Sequence, residues 1–154
     1  MSFDFLGIPL NGTPPQFVER LLRNGCLDTT QNIQEDDDCN NSYFVYVYVW
    51  AISAESILLN INYNPFSGMV YKVMLILPDD IGLSLYSQLF NLIVERYGEE
   101  YIKLSNKEVI CWNFEDGRII LSRHDTTTVV VFSDNENNPD ADFEDISDDA
   151  YLIE

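Results

Sequence analysis

The chain holds few side chains able to do covalent chemistry, and their spacing works against them. Its one histidine, His124, stands between Arg123 and Asp125, with Ser122 two positions upstream. A nucleophile, its base and the group that orients the base must converge from separate elements. Ser122, His124 and Asp125 lie too close along one expected turn to do so. The sequence has no glycine-rich phosphate loop, histidine-rich metal cluster or nucleophile elbow. Paired carboxylates abound, but in a chain this acidic they read as solvated surface. The expectation is a protein that is not an enzyme, with no catalytic residues, no metal and no cofactor. A hydrolase would have to depend on His124.

Two further constellations touch on binding chemistry. Asp134 to Asp145 sets oxygen-bearing side chains at positions one, three, five and nine of a calcium-type loop. Pro139 stands where the sharp turn needs glycine, and Asp145 where the bidentate glutamate belongs. A solvated acidic tail is the better reading, with Phe143, Ile146 and Ala150 able to form one short docking face. The three cysteines are too few and too odd for a disulfide framework. Cys111 falls in an expected strand as a buried thiol, whereas Cys26 and Cys39 flank one polar loop, where pairing is open under oxidising conditions.

The residues with the most to offer a ligand are aromatic. Residues 43–50 read Tyr-Phe-Val-Tyr-Val-Tyr-Val-Trp, a strand whose alternation puts Val45, Val47 and Val49 on one side. Phe44, Tyr46, Tyr48 and Trp50 then face the other side. Trp112, in a later strand, is a candidate addition. Tyrosine and tryptophan combine apolar area with a hydrogen-bonding tip, which suits a protein-binding surface. The competing reading is that loops, the tail or a second copy of the chain cover these rings.

The elements that must position this face follow from pattern. Thr13 as N-cap, Pro14 at the first helical position and Gln16 three residues past the cap open a helix over 13–25. Phe17, Val18, Leu21 and Leu22 form its apolar stripe, Arg20 and Arg23 sit near its negative end, and Gly25 closes it. A polar loop over 27–41 leads to the aromatic strand. Strands over 56–63 and 69–77 follow, turned by Asn64 to Gly68 and closed by Pro78. A second helix runs from about Ser84 to Tyr97, with Tyr86, Leu89, Phe90, Ile93 and Tyr97 on one face and Gly98 at its end. Strands over 108–114, 118–122 and 126–132 complete the chain, the first two joined by Asp116-Gly117.

The predicted class is therefore α+β: two helix-plus-three-strand halves forming a mainly antiparallel sheet with both helices on one face. The halves echo each other in order, but their residue-by-residue likeness is weak. At 154 residues the chain is about one domain long, by a prior of roughly 100–200 residues. Composition divides it into a domain over 1–133 and an acidic tail over 134–154, which carries nine acidic side chains and no basic one.

Charge narrows the partners. With 26 acidic against 8 basic residues the net charge is −18, which argues against nucleic-acid phosphates and anionic membranes. Basic proteins and cations stay open. No run reaches the roughly 18–20 apolar residues of a membrane span, and the first residues lack the basic and apolar regions of a signal peptide. A native start at Met1 implies the cytoplasm, while a start created by trimming would allow export.

With the elements placed, a resemblance emerges. Phe5-Leu6-Gly7-Ile8-Pro9-Leu10-Asn11-Gly12-Thr13 looks like the opening of a group of Bacteroides-type proteins. The run from Val70 to Pro78, followed by Tyr86, Leu89, Ile93, Arg96, Tyr97 and Gly98, is similar to that group's strand-Pro-helix-Tyr-Gly pattern. Residues 129–137 resemble its closing strand, so the likeness spans about residues 5–138. Such proteins look like the β-lactamase-inhibitor-like fold, whose helix-plus-sheet modules bind partners through an aromatic-rich sheet surface. The resemblance implies a binding role for Phe44, Tyr46, Tyr48 and Trp50 but matches no inhibitory residue. Members look exported, and this chain departs in showing no signal and in its tail. The expected function is a non-enzymatic protein-interaction module. The alternative is an acidic charge mimic that binds basic, nucleic-acid-handling proteins.

Overall fold

A computed structural model describes residues 3–30, 34–35, 41–49, 55–77, 79–104, 108–124 and 127–135, with residues 34–35, 79–85 and 124 described by backbone alone. The chain opens with a small hairpin, β1 (Asp4–Phe5) and β2 (Ile8–Pro9), turned by Leu6 and Gly7 at positive φ. Phe3, Phe5, Ile8 and Leu10 are all buried, so this stretch is a plug of the core.

Helix α1 (Pro14–Arg23) begins where the capping signal places it: the Thr13 N–H donates to Gln16 Oε1 at 2.9 Å. It ends in a Schellman pair. The Cys26 N–H bonds the Leu21 carbonyl, the Gly25 N–H bonds Leu22, and Gly25 sits at φ +71°. Phe17 and Leu21 are fully buried and Val18 packs beside them. Leu22, expected on the stripe, is instead 52% exposed. Arg20 does more than complement the helix end, since its guanidinium donates to the carbonyls of Pro9 and Asn11 and ties the hairpin to α1.

An eight-stranded antiparallel sheet follows. Its strands are β3 (Gln34–Glu35), β4 (Ser42–Val47), β5 (Ile57–Tyr63), β6 (Val70–Leu77), β7 (Tyr101–Lys103), β8 (Val109–Asn113), β9 (Gly117–His124) and β10 (Thr127–Asp134). They lie in the order β3-β4-β5-β6-β10-β9-β8-β7. Between β6 and β7 runs α2 (Asp79–Tyr97), which starts about five residues before the apolar pattern announces it. The Asp79-Asp80 pair at its positive end favours that start, while Gly82 weakens the helical signal there.

The two halves are related by a pseudo-two-fold axis normal to the sheet. β6 and β10, the last strands of their halves, pair at the centre, with Met74 opposite Val131. Outward from that pair the sequence of elements is the same on each side: β5, β4 and β3 to one edge, β9, β8 and β7 to the other. One register line crosses the whole sheet and reads Gln34, Phe44, Asn60, Met74, Val131, Ile120, Cys111, Ile102. The helices correspond as well, each preceding the first strand of its half.

Both helices pack on one face, as expected. Phe17 and Leu21 of α1 and Leu89 and Ile93 of α2 share a core with Val45, Val47, Leu59, Ile61, Leu75, Val130 and Phe132. Phe5 locks the plug between them, edge-on to Phe132 at 5.0 Å between ring centroids. Tyr97 closes the same region, accepting the Leu6 N–H at 2.9 Å and donating to Asp4. Strand β10 runs through Ser133 and Asp134, both buried, so the sheet takes in the first residue that composition assigns to the tail. Residues 136–154, including most of the calcium-type loop, lie outside the described residues. No helix among the described residues is long and apolar enough to cross a membrane.

Candidate interaction face

The aromatic strand divides as its alternation predicts. Val45, Val47 and Val49 are at most 1% exposed and look toward the helices. Phe44, Tyr46 and Tyr48 are half-buried on the opposite side, where no helix among the described residues lies. Trp50 falls outside the described residues.

Trp112 does not join them. It is fully buried in the helix-side core, its ring 6.0 Å from Phe90 between centroids and its Nε1–H donating to the Gly98 carbonyl at 3.1 Å. The reason is register. Trp112 pairs with Ile119, and both stand on the face that carries Phe132, whereas Cys111 and Ile120 stand on the other. Every residue of β8 from Val109 to Trp112 is buried, so its sequence carries no alternation from which the side could be read. Trp112 is an anchor for the end of α2.

The sheet supplies other neighbours for the aromatic side chains. Tyr46 stands opposite Leu58, Leu58 opposite Ile76, and Ile76 opposite Val129. In the adjoining row, Asn60 separates Phe44 from Met74, and Val131 follows. Directly opposed side chains in antiparallel strands lie about 4.5–5.5 Å apart at Cβ, so these form continuous rows across four strands. Leu58, Met74, Ile76, Val129 and Val131 are half-buried. None was legible as a surface residue. Val70 to Leu77 and Val129 to Phe132 read as apolar runs with little alternation, the pattern of strands covered on both sides.

Several polar groups about this face have defined partners. Asp28 follows an isolated bridge between Leu27 and Val47, with its N–H on the Tyr46 carbonyl at 2.8 Å. Its carboxylate takes hydrogen bonds from Thr30, Ser56 and the Tyr48 hydroxyl, which hold it below the ordinary carboxylate range. Asn62 donates to Asn60 Oδ1 at 2.6 Å. Toward the β7 edge the face closes on itself: Leu104, Val109, Cys111 and Ile120 form a second small core with Val131.

Other candidates gather less. β9 extends through His124, two residues beyond the expected end, while Asp125 lies outside the described residues. Cys26 and Cys111 are buried free thiols, each pushed up to about 11 by burial. Such thiols are poor nucleophiles at neutral pH. Cys39 lies outside the described residues. Among the described residues no three His, Cys, Asp or Glu side chains gather as a metal site. On the helix side, a groove of about 370 Å³ between α2 and the β7 edge is lined by Tyr86, Ser87, Phe90, Asn91, Tyr101, Lys103 and Ile110. Compared with protein-family models, with curated proteins and with solved structures, the chain finds no match.

Proposed function

We propose that this protein is a non-enzymatic interaction module that captures a protein partner on the open face of its sheet. The observation that carries the reading is the row Tyr46, Leu58, Ile76 and Val129, with Phe44 and Met74 beside it, on a face where no helix among the described residues lies. Contiguous apolar area at a surface, edged by polar groups, is the usual mark of an interaction site. Phe44, Tyr46 and Tyr48 contribute rings with few rotatable bonds, which lose little entropy on binding. The likeness to the β-lactamase-inhibitor-like fold points the same way and belongs to the same proposal.

The test compares the full chain with a Tyr46→Ala, Ile76→Thr double variant in affinity capture followed by titration against the captured partner. Loss of the apolar row should weaken binding by about tenfold or more, with circular dichroism unchanged. Intact binding refutes the reading, and collapse of the fold would mark these side chains as core. Charge mimicry is favoured instead by a net charge of −18, half of it carried by residues 134–154. It predicts capture that falls steeply with salt and vanishes when the acidic residues of that segment are replaced by Asn and Gln. Salt-insensitive capture excludes it.

A further inference from the structure

Strand β7 is one edge of the sheet, and no described strand lies beyond it. The phase of the hydrogen bonds tells which of its backbone groups face outward. Successive residues of an antiparallel strand bond alternately to the neighbour on one side and on the other. The Leu104 N–H donates to the Val109 carbonyl at 3.0 Å, and the Arg123 N–H to that of Glu108 at 2.9 Å. Odd-numbered residues of β8 therefore bond β7 and even-numbered ones bond β9, which ties Ile102 to Cys111. Tyr101 and Lys103 turn their N–H and C=O groups away from the sheet. The Tyr101 N–H is taken by the Glu99 carbonyl at 3.0 Å. The Tyr101 carbonyl and both backbone groups of Lys103 have no hydrogen-bond partner among the described residues.

The side chains of this edge divide by face. Tyr101 and Lys103 stand opposite Trp112 and Ile110 on the helix side, and Ile102 stands opposite Cys111 on the open side. All three are exposed, Ile102 by 50%. Tyr101 meets Phe90 edge-on at 5.3 Å between centroids, and both line the groove of about 370 Å³ together with Lys103. No acidic residue lines that groove, and Lys103 has no ion-pair partner among the described residues. A second copy of the chain suits this edge poorly. Antiparallel pairing of Lys103 with its own counterpart opposes two cations. Pairing it with the other copy's Tyr101 leaves the Lys103 carbonyl facing an N–H already taken by Glu99. Each copy also brings a charge of −18.

We infer that β7 accepts an extended segment of a partner protein as a ninth, antiparallel strand in which an acidic, a β-branched apolar and an aromatic residue follow one another. The acidic residue stands opposite Lys103, exchanges both backbone hydrogen bonds with it and sets its carboxylate beside the ammonium. The next residue stands opposite Ile102 and extends the apolar row of Ile120, Cys111 and Ile102. The aromatic residue donates its N–H to the Tyr101 carbonyl and lays its ring on the helix side, against Tyr101 and the groove. Three backbone hydrogen bonds hold the strand, and one charge pair fixes its register. A lysine on a short edge strand ordinarily guards against strand addition; here it turns away other strands and selects an acidic one. The site lies at the edge of the sheet and does not depend on the open-face reading.

Nuclear magnetic resonance of the labelled full chain tests this with the end-capped peptide Thr-Glu-Val-Tyr-Thr-Lys, whose zero net charge avoids long-range repulsion. Saturating shifts of the Ile102 and Lys103 amides are expected, with slowed hydrogen exchange at the Lys103 N–H. Methylating the backbone nitrogen of the peptide's glutamate removes the donor to the Lys103 carbonyl and should abolish the shifts. The peptide Thr-Lys-Val-Tyr-Thr-Glu, with the two charges exchanged, should bind about fivefold more weakly. Lys103→Glu, an exposed change that spares the core, should reverse that preference. The inference fails if the amides do not shift, if the methylated peptide binds as tightly, or if Lys103→Glu leaves the preference unchanged. A Lys103 N–H protected in the free chain also overturns it. Protection at every dilution assigns the edge to the chain's own residues, and protection only on concentration assigns it to a second copy. Binding kept in Tyr46→Ala, Ile76→Thr upholds the edge site even where the open-face reading falls; binding lost there places the peptide on the open face and discards the edge site.

Discussion

Tyr97 joins the start of the chain to the end of the second helix. Its hydroxyl accepts the Leu6 N–H and donates to Asp4, while Arg96 pairs with the same carboxylate at 3.8 Å. Tyr97→Phe leaves the Leu6 N–H and the Asp4 carboxylate without this partner and should cost about 1–2 kcal/mol in urea unfolding. Burial first, then the hydrogen bond to Asp4, holds the Tyr97 proton on well above its ordinary value of 10.0. The unfolded chain ionises first, so this contribution is complete below pH 10 and is lost as pH rises beyond it. Cys26 and Cys111 act alike from 9.0 to about 11. Wild-type stability should therefore fall from pH 9 upward, and Tyr97→Phe should remove the part of that fall that begins at pH 10. Urea midpoints at pH 8, 9.5 and 11 check both expectations. The pairing of Tyr97 with Asp4 was hidden in the sequence by a separation of 93 positions; Val45, Val47 and Val49 were readable because their alternation is local.

The two helices stop in parallel ways. Gly25 and Gly98 take φ of +71° and +106°, and neither would bring a Cβ within 4 Å of another group. An alanine at either position meets backbone strain and no collision. Gly25→Ala should cost on the order of 1 kcal/mol. Gly98→Ala should also cost stability, and it has a second reader, because Trp112 donates to the Gly98 carbonyl. A shift in Trp112 fluorescence is expected for Gly98→Ala and not for Gly25→Ala. Helix ends of this kind were legible because a glycine after an amphipathic stripe has one common use. The plug hairpin, β3 and β7 were not, since strands of two or three residues have no period to show. The apolar residues of β6 and β10 hid their open-face members for the opposite reason, with both faces apolar at once.

Over the whole molecule, charge and topology decide different things. A net charge of −18 makes the compact state repel itself, and added salt screens that repulsion within about 10 Å at 0.1 M. The ion pairs Arg23–Glu19, Arg96–Asp4 and Arg123–Glu108 are all at least partly exposed and offer salt little to weaken. The melting temperature should rise between 10 and 150 mM sodium chloride (approximate working limits); a fall would mean that ion pairs dominate. Composition announced that field, but the long-range pairing of β6 with β10 could be found only by folding the chain. Their meeting at Met74 and Val131 makes the sheet, in effect, a dimer written into one polypeptide, each half offering its twin the edge it would offer a copy of itself. The like order of elements does not make the two halves alike in their side chains. Tyr46, Leu58 and Ile76 in the first half hold the stations that Asn113, Arg118 and Ser133 hold in the second. The face is therefore apolar on one side of the axis and polar on the other, and a scaffold built on symmetry acquires a direction.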